Sequence, residues 1–504
     1  MPPEAEDASS RQIKESGSQN RRLNIPAGVV SGLGDLVDFV LPVWAASVLG
    51  LSPTIIGLVL ATDLLTAVCL RPVAGHLADR VDRRLLTSLG GAAFASGLAL
   101  LSVTDSVAPL LASAVMMGIG SAFFWVPLRT SVSESPDPHR AFSELTSAEG
   151  TGIWVAYLIA LSALPVVGYP GVFVLAAVGA LTAAILVWRS SRSTPPPNLA
   201  GTPPRTRSTP GSAARFLAFV AAVAVVETAA SVYLLLRLQD EFGLGLMDIV
   251  WLYVPGLVVY SMAPPWGIAA TRRLGERGLL VGGLLLSVAG AMLVIFGPAP
   301  WILCTGWSLM CCSWAWLDPL QQTAASRVLS GGLGRAMGRY ESATLAGGAA
   351  GAAAGGLALD ITAPVGVAAS ALALLLASMP LALGVYSPKP SDDAMTRPQR
   401  PRRDLQMEWR KAQDHVVVYA VVQGLLWLAG LSWIGSMLTT GDPLRGLELT
   451  GGGFEAFLYL GAMAWGAVVA LDVVVSGLAA RRGGRSTLTG RTSTPTGTQK
   501  KGRS

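Results

Sequence analysis

Several acidic residues lie inside long apolar segments of this 504-residue chain. A charged side chain is costly to place inside a bilayer, so an acid retained there is a candidate for transport chemistry. Desolvation favours the neutral carboxyl, and such a group could therefore accept and release a proton, or alternatively bind a cation. A structural acid, hydrogen-bonded to a neighbouring helix, is the alternative for each. We expect substrate binding or proton coupling at Asp38, Glu227, Asp318 and Asp35, and structural roles at Asp63 and Glu149.

Aromatic residues accompany these acids and could line a pocket for an apolar or aromatic compound. Stacking and cation–π contacts are the interactions that such side chains offer. The alternative is that they pack between helices or mark the membrane interface. The pocket aromatics predicted on this basis are Trp44, Trp125, Trp314 and Tyr233.

Other chemistry finds little support in the sequence. The chain has three histidines, far apart, and its four cysteines all lie in apolar segments, so we expect no metal site. No nucleophile–base arrangement and no ATP-binding glycine-rich loop stands out, which argues against an enzyme and against a nucleotide-driven pump. We therefore expect no cofactor, with a proton gradient as the source of energy.

The elements that must position these residues are apolar helices. Hydrophobic residues make up 52% of the chain and charged residues 13%, about half the charge of an average soluble protein. A helix needs roughly 20 apolar residues to cross a bilayer, and fourteen such spans can be counted, which predicts an all-α polytopic membrane protein. The spans lie near 26–48, 53–73, 86–104, 108–129, 145–165, 170–188, 215–236, 247–270, 278–296, 300–324, 342–360, 363–386, 415–437 and 455–479.

The positions of Lys and Arg predict the orientation. Nearly all 37 of them fall in the two terminal segments or in alternate loops, and cytoplasmic loops carry such an excess. Both termini are therefore predicted to be cytoplasmic, which requires an even number of spans. The same bias explains the net charge of +6 without any nucleic-acid partner. We expect a multi-pass protein of the plasma (inner) membrane.

Composition divides the chain into seven segments. Two of the segments between or after the helices are basic, and contact with anionic lipid is one explanation for them, topogenic charge being the other. The predicted segments are a disordered cytoplasmic N-terminus (1–24), an N-terminal six-helix bundle (25–189), a cytoplasmic linker (190–214), a C-terminal six-helix bundle (215–386), a basic cytoplasmic linker (387–413), two accessory transmembrane helices (414–480) and a basic cytoplasmic tail (481–504).

The loop from Gly75 to Arg84, between spans two and three, carries the most specific motif. Its pattern Gly-x-Leu-Ala-Asp-Arg-x-x-Arg-Arg closely resembles the signature loop of major facilitator superfamily transporters, with Asp82 where a turn glycine is usual. An internal repeat agrees with this resemblance, since Pro127-Leu128 in span four matches Pro319-Leu320 in span ten. The resemblance covers about residues 26–386.

This resemblance implies a fold and a gate. It implies two pseudo-symmetric six-helix bundles, with spans one, four, seven and ten lining a central cavity and the last two spans added at the C-terminus, fourteen in total. Asp79 would lie at the N-terminal end of span eleven, near Ser342, where the helix dipole favours an anion. Arg83 would pair with Glu134. The implied cytoplasmic gate comprises Gly75, Asp79, Arg80, Arg83, Arg84 and Glu134.

Two further expectations concern packing. Gly347, Gly351 and Gly355 repeat every fourth residue, and we expect this small-residue face to form a close contact between the moving bundles. Arg129, towards the end of span four, could pair with an acid across the cavity or extend to the membrane surface, and we favour the surface.

The function predicted is secondary active transport of a small organic molecule by proton-coupled efflux. The resemblance is to drug exporters, but two of their usual signatures are missing, because Ala114 occupies the position of an arginine in span four and span five lacks its glycine–proline pattern. An importer of a small metabolite is one alternative. A non-transporting membrane sensor or assembly factor with this fold is another.

Overall fold

The computed structural model describes residues 3–190 and 210–361, together with positions 372, 379, 385–386, 416, 419–420, 423 and 432–440. These residues form two compact units, Met1–Ser391 and Asp392–Ser504, which are described separately. The first unit contains α1 (Pro3–Ser47), α2 (Pro53–Ala78), α3 (Arg83–Leu101), α4 (Val107–Ser133), α5 (Pro138–Ser190), α6 (Pro210–Asp240), α7 (Leu246–Met262), α8 (Pro264–Phe296), α9 (Pro300–Val328) and α10 (Leu333–Ile361). The second contains α11 (Trp433–Thr440).

Within the described residues, seven helices are long and apolar enough to cross a membrane, and a shorter apolar helix covers Leu252–Met262. The prediction of an all-α membrane protein is confirmed. The total of fourteen spans stays a prediction, because predicted spans twelve and fourteen lie almost wholly outside the described residues. The seven helical stretches are Arg22–Ser47, Thr54–Ala78, Arg83–Leu101, Val107–Ser133, Ser162–Arg189, Gly211–Asp240 and Pro264–Phe296.

The first helix is longer than the sequence predicts. It begins at Pro3, so the polar stretch predicted to be disordered (1–24) is helical from residue 3 onwards. Proline is accepted at the first helical position, where its missing N–H has no partner in any case. The Glu, Lys, Gln and Arg residues that follow favour a helix even though they are polar. The other predicted segment boundaries stay predictions.

Two glycines mark kinks that the span pattern does not reveal. Predicted spans five and six are joined into α5, which is interrupted at Gly168 with a φ of 66°. In α8 the interruption is Gly275, with a φ of 72°. Glycine adopts positive φ without the steric penalty that a Cβ imposes. The stretch between predicted spans eight (247–270) and nine (278–296) is therefore helical up to Gly275 and not an open loop.

The second unit is described at part of its predicted span. The span expected over 415–437 is helical at positions 416, 419–420 and 423 and again in α11 from Trp433, with a break at Ser432. Ser432 precedes it outside the helix, and its Oγ accepts a hydrogen bond from the Gly435 N–H at 3.1 Å. A serine in this position is a preferred N-terminal cap, so the sequence starts a new helix here.

We call α1–α5 the first helix group and α6–α10 the second. In the first group, α1 packs on α5, and α3 packs on α4 and α5. In the second, α6 packs on α10, and α9 packs on α7 and α8. The groups meet where α2 contacts α10 and where α5 contacts α7, α8 and α9. The pseudo-symmetry of two six-helix bundles stays a prediction.

The glycine face of α10 has a different partner from the one expected. Close packing is observed, but Gly347, Gly351 and Gly355 lie against the backbone of Ala221, Val225 and Ala229 on α6. Both helices belong to the second group, so these glycines join two helices that stay together and do not form a contact between moving bundles. Sequence spacing predicts the small-residue face and cannot select its partner.

Candidate functional site

Five carboxyls from both helix groups form one electrostatically connected set. Asp35 and Asp38 on α1 interact with each other, and Asp35 also interacts with Glu149 on α5. Glu149 in turn interacts with Asp318 on α9, and Asp318 with Glu227 on α6. We call these five residues the central carboxyl set; Asp63 of α2 also interacts with Asp38 and is not included in the name. The structure thus brings the four predicted coupling acids together and adds Glu149, which we had expected to be structural.

The accessibility of the set differs between its members. Asp35 and Asp38 have exposed side chains on α1, a helix long and apolar enough to cross a membrane. The Asp318 Oδ2 accepts a hydrogen bond from the Tyr260 hydroxyl at 2.8 Å. Glu227 is half-buried, and its Oε1 has no hydrogen-bond partner among the described residues. The set therefore contains exposed side chains on α1 and side chains on α5, α6 and α9 that neighbouring helices cover partly or fully.

A buried cluster of two arginines and two glutamates lies between the helix groups. Arg71 of α2 and Arg129 of α4 both form ion pairs with Glu341 of α10. Arg129 also pairs with Glu149, at 3.0 Å between Nη2 and Oε1. The Glu341 side chain is only 2% exposed and that of Arg129 15% exposed. We call these four residues the inter-group charge cluster.

This cluster corrects the expectation for Arg129 and adds a residue that the sequence analysis missed. Arg129 does not extend to the membrane surface, because two carboxylates hold it inside the protein. Its guanidinium also lies 4.9 Å from the Trp125 ring centroid. Glu341 fell just outside the predicted span 342–360 and was not counted as an intramembrane acid. Arginines inside spans two and four were the available signal, since each needs a counter-charge.

The signature loop joins the two groups at the end of the molecule where residues 79–82 connect α2 to α3, which we call the loop end. Asp79 Oδ1 accepts a hydrogen bond from the Gly334 N–H at 2.7 Å, and Oδ2 from the Arg335 N–H at 3.2 Å. These N–H groups belong to the first turn of α10 and have no partner within the helix. The helix begins at Leu333, so Asp79 lies well before Ser342, which instead donates to the Val68 carbonyl.

Gly75 lies at the closest approach of α2 and α10. A Cβ on Gly75 would overlap the backbone carbonyl of Gly334, and a Cβ on Gly334 would overlap that of Gly75. Only two glycines allow the helix backbones to approach this closely. The glycine of the signature motif is thus required for contact between the helix groups.

The basic residues of the signature loop act within the first group. Arg83 pairs with Glu134 at 2.5 Å and donates from Nε to the Ala78 carbonyl at 3.0 Å. Arg84 lies over the Trp188 ring at 4.2 Å. Arg80 is exposed. The Arg83–Glu134 pair therefore fixes the loop against α4 and does not itself connect the two groups.

The four predicted pocket aromatics divide into two pairs. Trp44 is buried and packs edge-to-face on Phe173, while Tyr233 is buried in an apolar cluster. Trp44 follows Asp35 by nine residues, which places it about 180° around the helix from that acid. Trp125 and Trp314 are half-buried and lie on the helices that carry Arg129 and Asp318. Trp125 contacts the Arg129 guanidinium, whereas Trp314 also packs against the apolar cluster that contains Tyr233.

The loop end also contains a histidine contact between the groups. His139 at the start of α5 has its Nε2 3.3 Å from Thr271 Oγ1 on α8. Burial lowers the pKa of His139, because desolvation disfavours the charged imidazole. Among the described residues, no group of three or more His, Cys, Asp or Glu side chains is arranged to hold a metal ion.

Comparison with known families decides the assignment. The sequence model described as Major Facilitator Superfamily matches residues 27–263 and 216–495. The chain belongs to the Major Facilitator Superfamily. Its family is therefore one of membrane transporters, and the chain is a multi-pass membrane protein. The second match extends to residue 495, past the limit of residue 386 assigned from the motifs, so the addition of two extra helices beyond the family fold is not established.

Solved structures of superfamily transporters share this fold. The human organic anion transporter MFSD10 (TETRAN) is 17% identical, with a TM-score of 0.58 over 76% of this chain and 100% of that chain. The nucleoside transporter NupG is 12% identical, with a TM-score of 0.53 over 72% of this chain and 99% of that chain. A bacterial homologue of the iron transporter ferroportin, in an outward-facing state, is 15% identical, with a TM-score of 0.57 over 72% and 98%. No curated protein matches in sequence.

Proposed function

We propose that this superfamily member is a proton-coupled secondary active transporter that exports a small organic molecule by alternating access. The central carboxyl set is the observation that carries the proposal. Its members come from α1 and α5 of the first group and from α6 and α9 of the second. Acids contributed by both groups can change their separation when the groups move, and their affinity for protons then changes with the state of the transporter.

The contacts between the groups support a closed loop end. Asp79, Gly75 and the inter-group charge cluster all join the groups at or near that end. The side chains of Asp35 and Asp38 are nevertheless exposed. The excess of Lys and Arg in the terminal segments and alternate loops supports a cytoplasmic location for the loop end and both termini. The described conformation then corresponds to an outward-open state in the plasma membrane.

Proton flux in proteoliposomes tests this function. Lipophilic cations and neutral aromatic compounds are screened against a lumenal pH dye, with wild type compared with Asp38→Asn and Glu227→Gln. Substrate-triggered proton movement is expected in wild type and is expected to be lost in both variants. Asp105→Asn and Asp240→Asn serve as matched controls, because these acids are exposed and lie outside the carboxyl set.

The outcomes separate the alternatives. Substrate flux without proton movement would contradict coupling, and flux driven only inwards would favour an importer. Absence of flux from folded protein, together with one stably bound partner protein, would favour a sensor or assembly factor. The three similar solved proteins are described as an organic anion transporter, a nucleoside transporter and a bacterial homologue of an iron transporter, so they point to no common substrate. Contact of the basic segments 387–413 and 481–504 with anionic lipid stays a prediction, since both lie outside the described residues.

A further inference from the structure

Arg129 is shared between two carboxylates that belong to different parts of the molecule. Its Nη2 pairs with Glu149, a member of the central carboxyl set, and its Nη1 pairs with Glu341 of the opposite helix group. All three side chains are at most 15% exposed. One guanidinium therefore connects the central carboxyl set to a contact that holds the helix groups together.

We propose that Arg129 transmits the charge state of the central carboxyl set to the loop end, with Glu149 and Glu341 competing for its guanidinium. This inference rests on the proposed function, because it explains how occupancy of the central site would open the transporter on the other side. It assigns roles to Glu149, Arg129 and Glu341 that no sequence motif carries.

The surroundings of Glu149 determine the direction of the effect. Negative charge on its carboxylate neighbours makes a further anion at Glu149 less favourable and weakens its hold on Arg129. The titratable and charged groups that face Glu149 are Arg129 from α4, Asp35 from α1, Asp318 from α9, Tyr260 from α7 and Glu341 from α10.

Neutralisation of the central acids, by protons or by a bound cation, reverses this balance. With Asp35 neutral, the Glu149 carboxylate is favoured and attracts Arg129 more strongly. Asp318 also attracts Arg129 directly, so Asp35 is the acid whose neutralisation gives the clear sign. Glu341 then keeps only its pair with Arg71, and the contact between the helix groups weakens. A buried carboxylate that loses one of two arginine partners is destabilised, because its desolvation is no longer compensated. The loop end consequently opens when the central acids are neutral.

Neutralising one or the other carboxylate partner of Arg129 should therefore change the opening of the loop end in opposite directions. Glu341→Gln removes the carboxylate on the far group and is expected to shift the closed-to-open ratio of the loop end towards open by at least about tenfold. Glu149→Gln removes the competitor and is expected to keep the loop end closed. A purely structural role for the cluster would make both variants destabilising in the same direction.

The experiment measures the width of the loop end by electron–electron resonance. Nitroxide labels are placed at Pro136→Cys and Arg273→Cys, exposed positions of the first and second group, in a chain whose four native cysteines are replaced by alanine. Distances are recorded near pH 8 and near pH 5 without substrate, in lipid nanodiscs. Glu241→Gln is the matched control, because its ion pair joins Arg237 of α6 to the residue just after that helix and does not connect the two groups.

Expected results are defined for each variant. Glu341→Gln should show the longer distance at both pH values, and Glu149→Gln the shorter distance at both. In wild type and Glu241→Gln the label distance should lengthen as the pH falls. In Asp35→Asn it should be long at both pH values, and adding Glu149→Gln to that variant should restore the short distance. The proposal would be overturned if Glu341→Gln showed the short label distance. It would also be overturned if the label distance in Glu149→Gln still changed with pH. Should Glu341→Gln fail to give a monodisperse protein, Glu341→Asp replaces it, with a smaller shift in the same direction expected.

These distances do not depend on flux. If the variants move the loop end as expected while no compound is transported, the transmission role stands and the transport proposal fails. If compounds are transported but the two glutamine variants behave alike, the transport proposal stands and the role of Arg129 fails.

Discussion

Asp79→Ala should open the loop end, because this side chain is the acceptor for the exposed first turn of α10. In the closed state its two carboxylate oxygens accept from the Gly334 and Arg335 N–H groups at 2.7 and 3.2 Å, and the Arg335 Nε lies 3.4 Å away. These bonds cross from the first helix group to the second. They are lost when the groups separate, so the substitution destabilises the closed state specifically.

The magnitude follows from the geometry at the helix end. Loss of a capping acceptor costs about 1 kcal/mol. An anion at a partly buried helix N-terminus contributes up to about 1 kcal/mol more, and the Asp79 side chain is 15% exposed. The total of about 2 kcal/mol corresponds to a shift of about 30-fold in the closed-to-open ratio. Asp79→Asn keeps one acceptor oxygen without the charge and should shift the ratio about half as far on a logarithmic scale.

Label distances across the loop end measure this ratio directly. Ser52→Ala is the matched control, because Ser52 caps the N-terminus of α2, with its Oγ accepting from Ile55 N–H, and makes no bond between the groups. The reasoning is refuted if Asp79→Ala shifts the ratio no more than Ser52→Ala does. It is also refuted if Asp79→Asn and Asp79→Ala are indistinguishable from wild type.

Two further predictions concern packing and pH. Gly75→Val should prevent closure of the loop end, because its Cβ would overlap the Gly334 backbone, and label distances should show only the open state. Gly57→Val is the control on the same helix. Its Cβ would enter open space, so the label distances should not change. Glu241→Gln should lower the free energy of unfolding by about 0.5 kcal/mol near neutral pH, and the melting temperature slightly, because it removes the pair with the Arg237 guanidinium. Hydrogen bonds from Arg237 hold the pKa of Glu241 below its ordinary 4.5, so this stabilisation is present above 4.5 and disappears as the pH falls through the lower, folded-state value.

Each of these two has a clear contradicting result. A closed distance retained in Gly75→Val would mean that α2 and α10 are not in backbone contact. A melting difference between wild type and Glu241→Gln that persists well below pH 4, monitored by intrinsic fluorescence in detergent, would mean that the pair with Arg237 is not its cause.

The sequence predicted the fold class and the family because both depend on local patterns. Apolar stretches of about 20 residues specify spanning helices whatever their neighbours. The acids Asp38, Glu227 and Asp318 could be selected for a related reason, since a carboxyl in an apolar segment stands out from its context. Their grouping around one region then followed from the helices that carry them.

Features that depend on tertiary partners could not be predicted in the same way. Arg71 and Arg129 meet Glu341 across 270 and 212 residues, and no spacing rule connects them. The kinks at Gly168 and Gly275 depend on a backbone conformation that glycine permits without requiring. Trp44 and Asp35 share a helix but lie on opposite sides of it, which a list of candidate residues does not distinguish.

The backbone contact between α6 and α10 has a mechanical consequence. Three glycines spaced four residues apart each contact one small or branched residue of α6. They hold the two helices together along about 12 Å of helix. Glycines at such an interface leave no side chains that could slide or repack, so the pair is stiff. Glu227 is carried by one of these helices and Glu341 by the other. A displacement of Glu341 therefore moves α6 and α10 together as one rigid body, and Glu227 moves with them.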